Sequence, residues 1–275
     1  MGMTWKVKTS VLLIGLAAAT MLTAGCASQD KPENGGNLAA DESGAAGKTE
    51  TKGGEAELEI PPVSIPKHGI TLSPVQPQGA LLQIGEKRQQ FDWTYTTPRM
   101  ILPRLQASDY DLDGADELSV ALNVDSGTGL SVDELHIVES EGDEAKAAES
   151  ADSATPFVDH VFEKDDYLAQ LGNALTFKTS EVDGELFGHL TLNGETTKVS
   201  LKSFQTGYNG EVTEKLGFGA IVGFEASANK LIATFGVGIV IENVAEPQYF
   251  GEIQADVGYK DGEFQLSSFR FTAEE

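Results

Sequence analysis

Beyond about residue 63, short segments of alternating apolar and polar residues follow one another. A period of two predicts half-buried strands. Segment 118–124 puts Leu118, Val120, Leu122 and Val124 on one side, and segment 134–138 reads the same way. In the second segment Leu135 and Ile137 are expected to face inward and His136 to face solvent. Alternating runs at 187–192 and 196–201 flank Asn193-Gly194, and Asp183-Gly184 and Asp261-Gly262 look alike. Such pairs favour two-residue type I′ hairpin turns, in which both central residues need positive φ. Segments 216–224, 231–241, 250–259 and 264–271 complete a run of strands. Segment 231–241 is nearly continuous apolar, so it is expected to be a central strand covered on both faces. It is too short to span a membrane. One helix is predicted over 159–171, with Val161, Tyr167, Leu168 and Leu171 near one face and Asp165-Asp166 near the first turn. The expected fold class is mainly β (α+β), an antiparallel strand meander with one or two helices. No tandem repeat of fixed period is visible, which argues against a complete multi-blade array.

The N-terminus follows a different pattern. Lys6 and Lys8 precede an apolar run broken only by small residues, and Leu22-Thr23-Ala24-Gly25-Cys26 closes it. A basic start, a short apolar core and a small-residue cleavage site mark an export signal, over 1–25. The last five residues resemble the lipobox of bacterial lipoproteins. That resemblance implies a lipidated Cys26 at the mature N-terminus and an extracytoplasmic protein anchored to the bacterial cell membrane by lipid, palmitate included. Residues 26–62 are rich in Gly, Ala, Ser, Glu, Lys and Asp, with almost no large apolar side chain. Such a segment cannot bury enough surface to offset its ordering entropy, so it is expected to be a disordered tether. At roughly 35 residues its root-mean-square span is about 30–35 Å. Residues 63–275 form the expected strand-rich globular domain. The acidic, Ala/Ser-rich loop 140–156 is expected to join two parts of it as a boundary between subdomains.

Composition narrows the chemistry. Cys26 is the only cysteine, which argues against a thiol nucleophile, a Cys-based zinc site or a disulfide scaffold in the mature chain. The chain carries 19 basic and 43 acidic residues, a formal net charge of −24. The signal contains two of the lysines and no acid, so the remainder is more acidic still. This balance disfavours nucleic acid, whose phosphates need clustered Lys and Arg, and it attracts cations.

One stretch carries a cation-binding pattern: Asp109-Tyr-Asp111-Leu-Asp113-Gly114-Ala-Asp116-Glu117-Leu118. Carboxylates stand at relative positions 1, 3, 5 and 9, with glycine at 6. Alternating acids in a tight loop can aim several hard oxygens at one centre, and calcium takes six to eight such ligands. The alternative is an acidic turn that solvates itself. For nine residues the loop resembles an EF-hand, but position 12 is Val120 and a strand follows. It more closely resembles the calcium loop of FG-GAP and VCBS-type repeats, in which the acidic loop leads straight into a strand. The resemblance covers roughly 30 residues, or up to about 60 with the flanks, and implies ligation of a structural Ca2+ by Asp109, Asp111, Asp113, the Ala115 backbone and Glu117. Asp116 is expected to point outward. The implied picture is a calcium-loop hairpin near the N-terminal side of the domain, pinning segment 118–138.

Other candidates are weaker. Ser126-Gly127-Thr128-Gly129 reads first as a connection between strands, with a backbone anion nest as the alternative. His68, His136, His160 and His189 are scattered, without H-E-x-x-H or helical pairing. Phe91, Trp93 and Tyr95 alternate, as core packing or as the lining of a sugar or peptide groove. Pro98 and Pro103 bracket an expected extended approach to the acidic loop. No G-x-S-x-G elbow is present. The expected function is a lipid-anchored, extracytoplasmic calcium-binding protein, a noncatalytic surface binding or structural module. Its partners are expected to be the membrane through Cys26, and a cell-wall polymer or envelope protein. The alternatives are a hydrolase of cell-wall or extracellular polymer, using carboxylates that converge only in the fold, and a carrier of a small apolar ligand.

Overall fold

The computed structural model describes residues 60–140 and 155–274. The signal, Cys26, nearly all of the expected tether and most of loop 140–156 lie outside the described residues.

Four short strands open the described chain: β1 (Val63–Ile65), β2 (Ile70–Pro74), β3 (Ala80–Ile84) and β4 (Lys87–Phe91). They form an antiparallel sheet in that order. After a connecting segment come β5 (Arg104–Ser108), β6 (Glu117–Gly127), β7 (Leu130–Ser140) and β8 (Phe157–Val161). Helix α1 (Lys164–Ala174) leads into a three-stranded sheet of β9 (Leu175–Val182), β10 (Glu185–Leu192) and β11 (Glu195–Ser200). The short helix α2 (Lys202–Gly207) precedes β12 (Val212–Gly217), β13 (Ile221–Ser227), β14 (Lys230–Ile241), β15 (Gln248–Lys260) and β16 (Glu263–Ala273). The third sheet runs β16-β15-β14-β13-β7-β6-β5, with β12 also on β14 and β8 also on β7.

The mainly β, largely antiparallel expectation holds, and local chemistry explains most of it. Asp183-Gly184, Asn193-Gly194 and Asp261-Gly262 all have both residues at positive φ, between 52° and 82°, and each closes a hairpin. The strand at 231–241 is β14, flanked by β13 and β12 on one side and β15 on the other.

Three expectations need correction. Segment 216–224 is not one strand: β12 and β13 pair with successive halves of β14 along the same edge, with a break between them. The break lets Ala220 O accept a hydrogen bond from Ser131 N at 2.8 Å, and β13 joins β7 in the sheet's one parallel pairing among the described residues. The helix starts later than residue 159. Residues 157–161 alternate as a strand and pair with β7, so Asp159 lies opposite Val138. Helix α1 then buries Tyr167 and Leu171, with Asp165 and Asp166 in its first turn as expected. Finally, the approach from Pro98 to Pro103 is not extended throughout. It contains a 3-10 turn at Pro98–Met100 with Arg99 and Met100 at positive φ.

Two apolar cores meet on β6 and β7. Leu118, Val120, Leu122 and Val138 pack with Ile70, Leu72, Leu82, Phe91 and Trp93 from the first sheet and its exit segment. The residues between them, Ala121, Leu135 and Ile137, belong to the larger core with α1 and the C-terminal strands. Coverage on both faces explains why every residue of β6 from Glu117 to Asn123 is buried.

This two-sided packing makes a stability prediction. Leu122, fully buried, should cost about 2–5 kcal/mol on substitution by Ala. Val182→Ala, at a position 48% exposed, should change stability by no more than about 0.5 kcal/mol. Urea unfolding of the two variants checks this, and equal midpoints would contradict the assigned core.

Candidate metal centre

The acidic loop connects β5 to β6. Ser108, the last residue of β5, pairs with Glu117, the first of β6, so the hairpin itself brings the ends of the loop together. Inside the loop the chain turns sharply, with Leu112 at φ 66° and Gly114 at φ 98°. A positive φ at Leu112 is strained for a side chain with a Cβ. Glycine tolerates it freely at position 114.

The aspartates hold the turn by bonding the backbone just ahead of them. Asp111 Oδ1 accepts from Asp113 N at 3.0 Å, and Asp113 Oδ1 accepts from Ala115 N at 2.7 Å. Asp109 Oδ2 reaches across the loop to Gly114 N at 3.1 Å. Glu117 Oε2 accepts from Tyr110 N at 2.6 Å. One oxygen of each carboxylate therefore shapes the loop.

Asp109, Asp111, Asp113 and Glu117 each place a carboxylate oxygen so that all four lie within 4.8 Å of one another. Oxygens around a single calcium, at 2.3–2.6 Å from the ion, are separated by up to about 5 Å, so the set suits one hard cation. Asp109 Oδ1 is buried and has no hydrogen-bond partner. A buried polar atom without a partner is costly, and a cation in the loop would satisfy it. Burial pushes the Glu117 carboxyl above its usual range. The Tyr110 N–H opposes this, while the charges of Asp111 and Asp113 reinforce it. Burial likewise pushes the Tyr110 phenol up to about 12. These four acids can hold a metal ion, as the loop pattern implied. Ala115 is exposed in the same turn. Asp116 is exposed, with its carboxylate 4.0 Å from His68 Nδ1.

The remaining sequence candidates separate. Residues 126–129 form the end of the β6–β7 hairpin, where Gly127 pairs with Leu130. Phe91 and Trp93 are buried and stacked, with ring centroids 4.4 Å apart. His189 bonds Ser180 Oγ at 2.7 Å.

His136 overturns its expectation. It is 2% exposed, because the face of β7 opposite Leu135 and Ile137 is covered too. Nδ1 lies 3.1 Å from both oxygens of Asp159, and Nε2 lies 2.9 Å from Glu134 Oε1. Trp93 Nε1 donates to Asp159 Oδ2 at 2.7 Å. This constellation borders an open cleft of about 540 Å³. The sequence offered one local signal for it, Glu134 and His136 two residues apart on one strand face. Asp159 gives no such signal, because its segment also fits the start of a helix.

No known protein family, curated protein or solved structure matches this chain, so the likeness of the loop to FG-GAP and VCBS-type repeats rests on the loop's own residues.

Proposed function

We propose that the chain is a lipid-anchored, extracytoplasmic calcium-binding protein that acts as a noncatalytic binding or structural module of the bacterial envelope. The observation that carries the calcium reading is the four-carboxylate cluster with the buried, unpartnered Asp109 Oδ1. The anchor and the address rest on the residues around Cys26.

The cluster is best suited to a structural role. Glu117 is both a carboxylate of the set and the first residue of β6. An ion held there ties the β5–β6 loop to the strand that both cores share. Without a cation, the four carboxylates repel one another across a few ångströms. Extracellular calcium modules have dissociation constants near 10⁻⁴–10⁻³ M, so millimolar calcium outside a cell is enough to load the site. The partner proposed for the anchored domain is a cell-wall polymer or another envelope protein.

Thermal unfolding in EDTA, then in calcium, with magnesium as control, tests the reading. At ten times the dissociation constant, calcium should add about 1.4 kcal/mol, a rise of about 3–6 °C in the midpoint for a domain of roughly 200 residues. Magnesium should give much less, because it demands closer octahedral geometry and sheds water reluctantly. Asp111→Ala and Asp113→Ala should lose the calcium response, and Asp116→Ala should keep it. If all three behave alike, the ligand assignment fails.

Glu117→Gln separates repulsion from ligation. The amide oxygen can still accept the Tyr110 N–H, while the buried charge is gone. The variant should melt higher than the parent in EDTA and respond less to calcium. For the anchor, Cys26→Ser should abolish incorporation of labelled fatty acid and release the protein from the membrane fraction. Fatty acid retained in that variant would place the lipid elsewhere.

A further inference from the structure

Both ring nitrogens of His136 face oxygens that only accept. Asp159 stands against Nδ1 at 3.1 Å, and Glu134 against Nε2 at 2.9 Å. Neutral imidazole has a single N–H, so in that form one contact would set a lone pair against a carboxylate oxygen. Imidazolium donates to both. The geometry therefore calls for an internal cation at a side chain 2% exposed.

That cation joins separate parts of the fold. Asp159 on β8 accepts from His136 and also from the Trp93 indole N–H, and the indole and imidazole centroids are 4.7 Å apart. Trp93 stacks on Phe91, the last residue of β4, and both rings belong to the core that the first sheet shares with β6 and β7. Glu134 is different, because its side chain is 37% exposed and can turn to solvent.

The surroundings favour charge on the ring. Glu134 comes from β7 itself, Asp159 from β8, Asp92 from the segment after β4, and Glu163 from the cap of α1. Among the described residues, no Lys or Arg lines the cleft. Of the other strands paired with β7, β6 presents apolar Val120 opposite His136, and β13 pairs only at Ser131 and Val132. His160, next to Asp159 on β8, alternates to the opposite face and lies 3.8 Å from Glu139.

We propose that His136 is a pH-sensitive latch: its protonated ring holds Asp159 and Trp93 in place, and so keeps β1–β4 seated on β6 and β7. Loss of the proton leaves one N–H for two acceptors, so Glu134 turns outward, the ring is held from one side only, and the Trp93 segment loosens. Burial alone would lower the pKa of this ring. The hydrogen bonds and charges of Asp159 and Glu134 outweigh it, and the net direction is upward from 6.5. A raised pKa in the folded state means that the latch contributes fully below about pH 6.5 and loses its contribution as pH rises through the higher folded value.

The test uses the full chain. NMR titration of the histidine ring protons, with His136→Gln for assignment, should give His136 a pKa above 6.5. Over the same pH interval, exchange protection of the Trp93 indole N–H should fall at least about tenfold beyond the ordinary base-catalysed rise. Glu134→Gln supplies an amide N–H that can donate to neutral Nε2, so the latch stays closed and the extra step disappears. If His136→Gln does not fold, the assignment comes from the shift of that resonance in Glu134→Gln. A His136 pKa at or below 6.5 overturns the proposal. So does indole protection that ignores the titration, or a step unchanged in Glu134→Gln.

Discussion

Burial of β6 and β7 on both faces is the constraint on which the rest of the structure depends. A strand with one wet face sends alternate residues to solvent and can carry charge at no cost. These two strands cannot, because the first sheet covers one side and the larger core covers the other. The buried polar and charged side chains among the described residues are Glu117, Ser119, Asn123, Asp133 and His136, and all five sit on this hairpin. Each must find a partner inside the protein, since an unpaired buried polar group is costly and a buried charge more so.

The partners differ, and the differences locate the chemistry. Asp133 is met by Arg104 Nη2 at 2.6 Å, and the same nitrogen donates to Phe224 O at 2.8 Å. Arg104 thus ties the edge strand β5 to β7 and β13. Asn123 donates to Val132 O and Asp133, and its own oxygen accepts from Thr96. Ser119 donates to Gln106 O and meets the Tyr110 hydroxyl. His136 is held by two carboxylates and its own proton. Glu117 has one backbone N–H and three neighbouring acids, the arrangement that a bound cation completes. One hairpin therefore carries an arginine-paired charge, a proton-dependent charge and a candidate metal ligand.

Several elements were legible because their causes are local. Asp-Gly and Asn-Gly turns carry their own φ preference, so three hairpins were visible from pairs of residues. The acidic loop was visible because its four carboxylates lie within nine residues and the strand pairing merely closes it. The start of α1 is not legible, for the opposite reason. Val161 fits a helical face as well as a strand, and pairing with β7 decided between them. The break between β12 and β13 was equally hidden, since it serves a contact between Ala220 and Ser131, far apart in the chain.

The sequence by itself determined the strand-rich class, the tight turns and the acidic loop, because alternation, turn chemistry and ligand spacing act over a few residues. It could not determine which strands would be covered twice. His136 looked solvent-facing because alternation assumes one wet face, and here both are dry. Its partners come from distant segments, Asp159 lying 23 residues from His136 and 66 from Trp93. Only the stacking of the first sheet on β6 and β7 brings them together, so tertiary packing decided that this histidine is an internal cation.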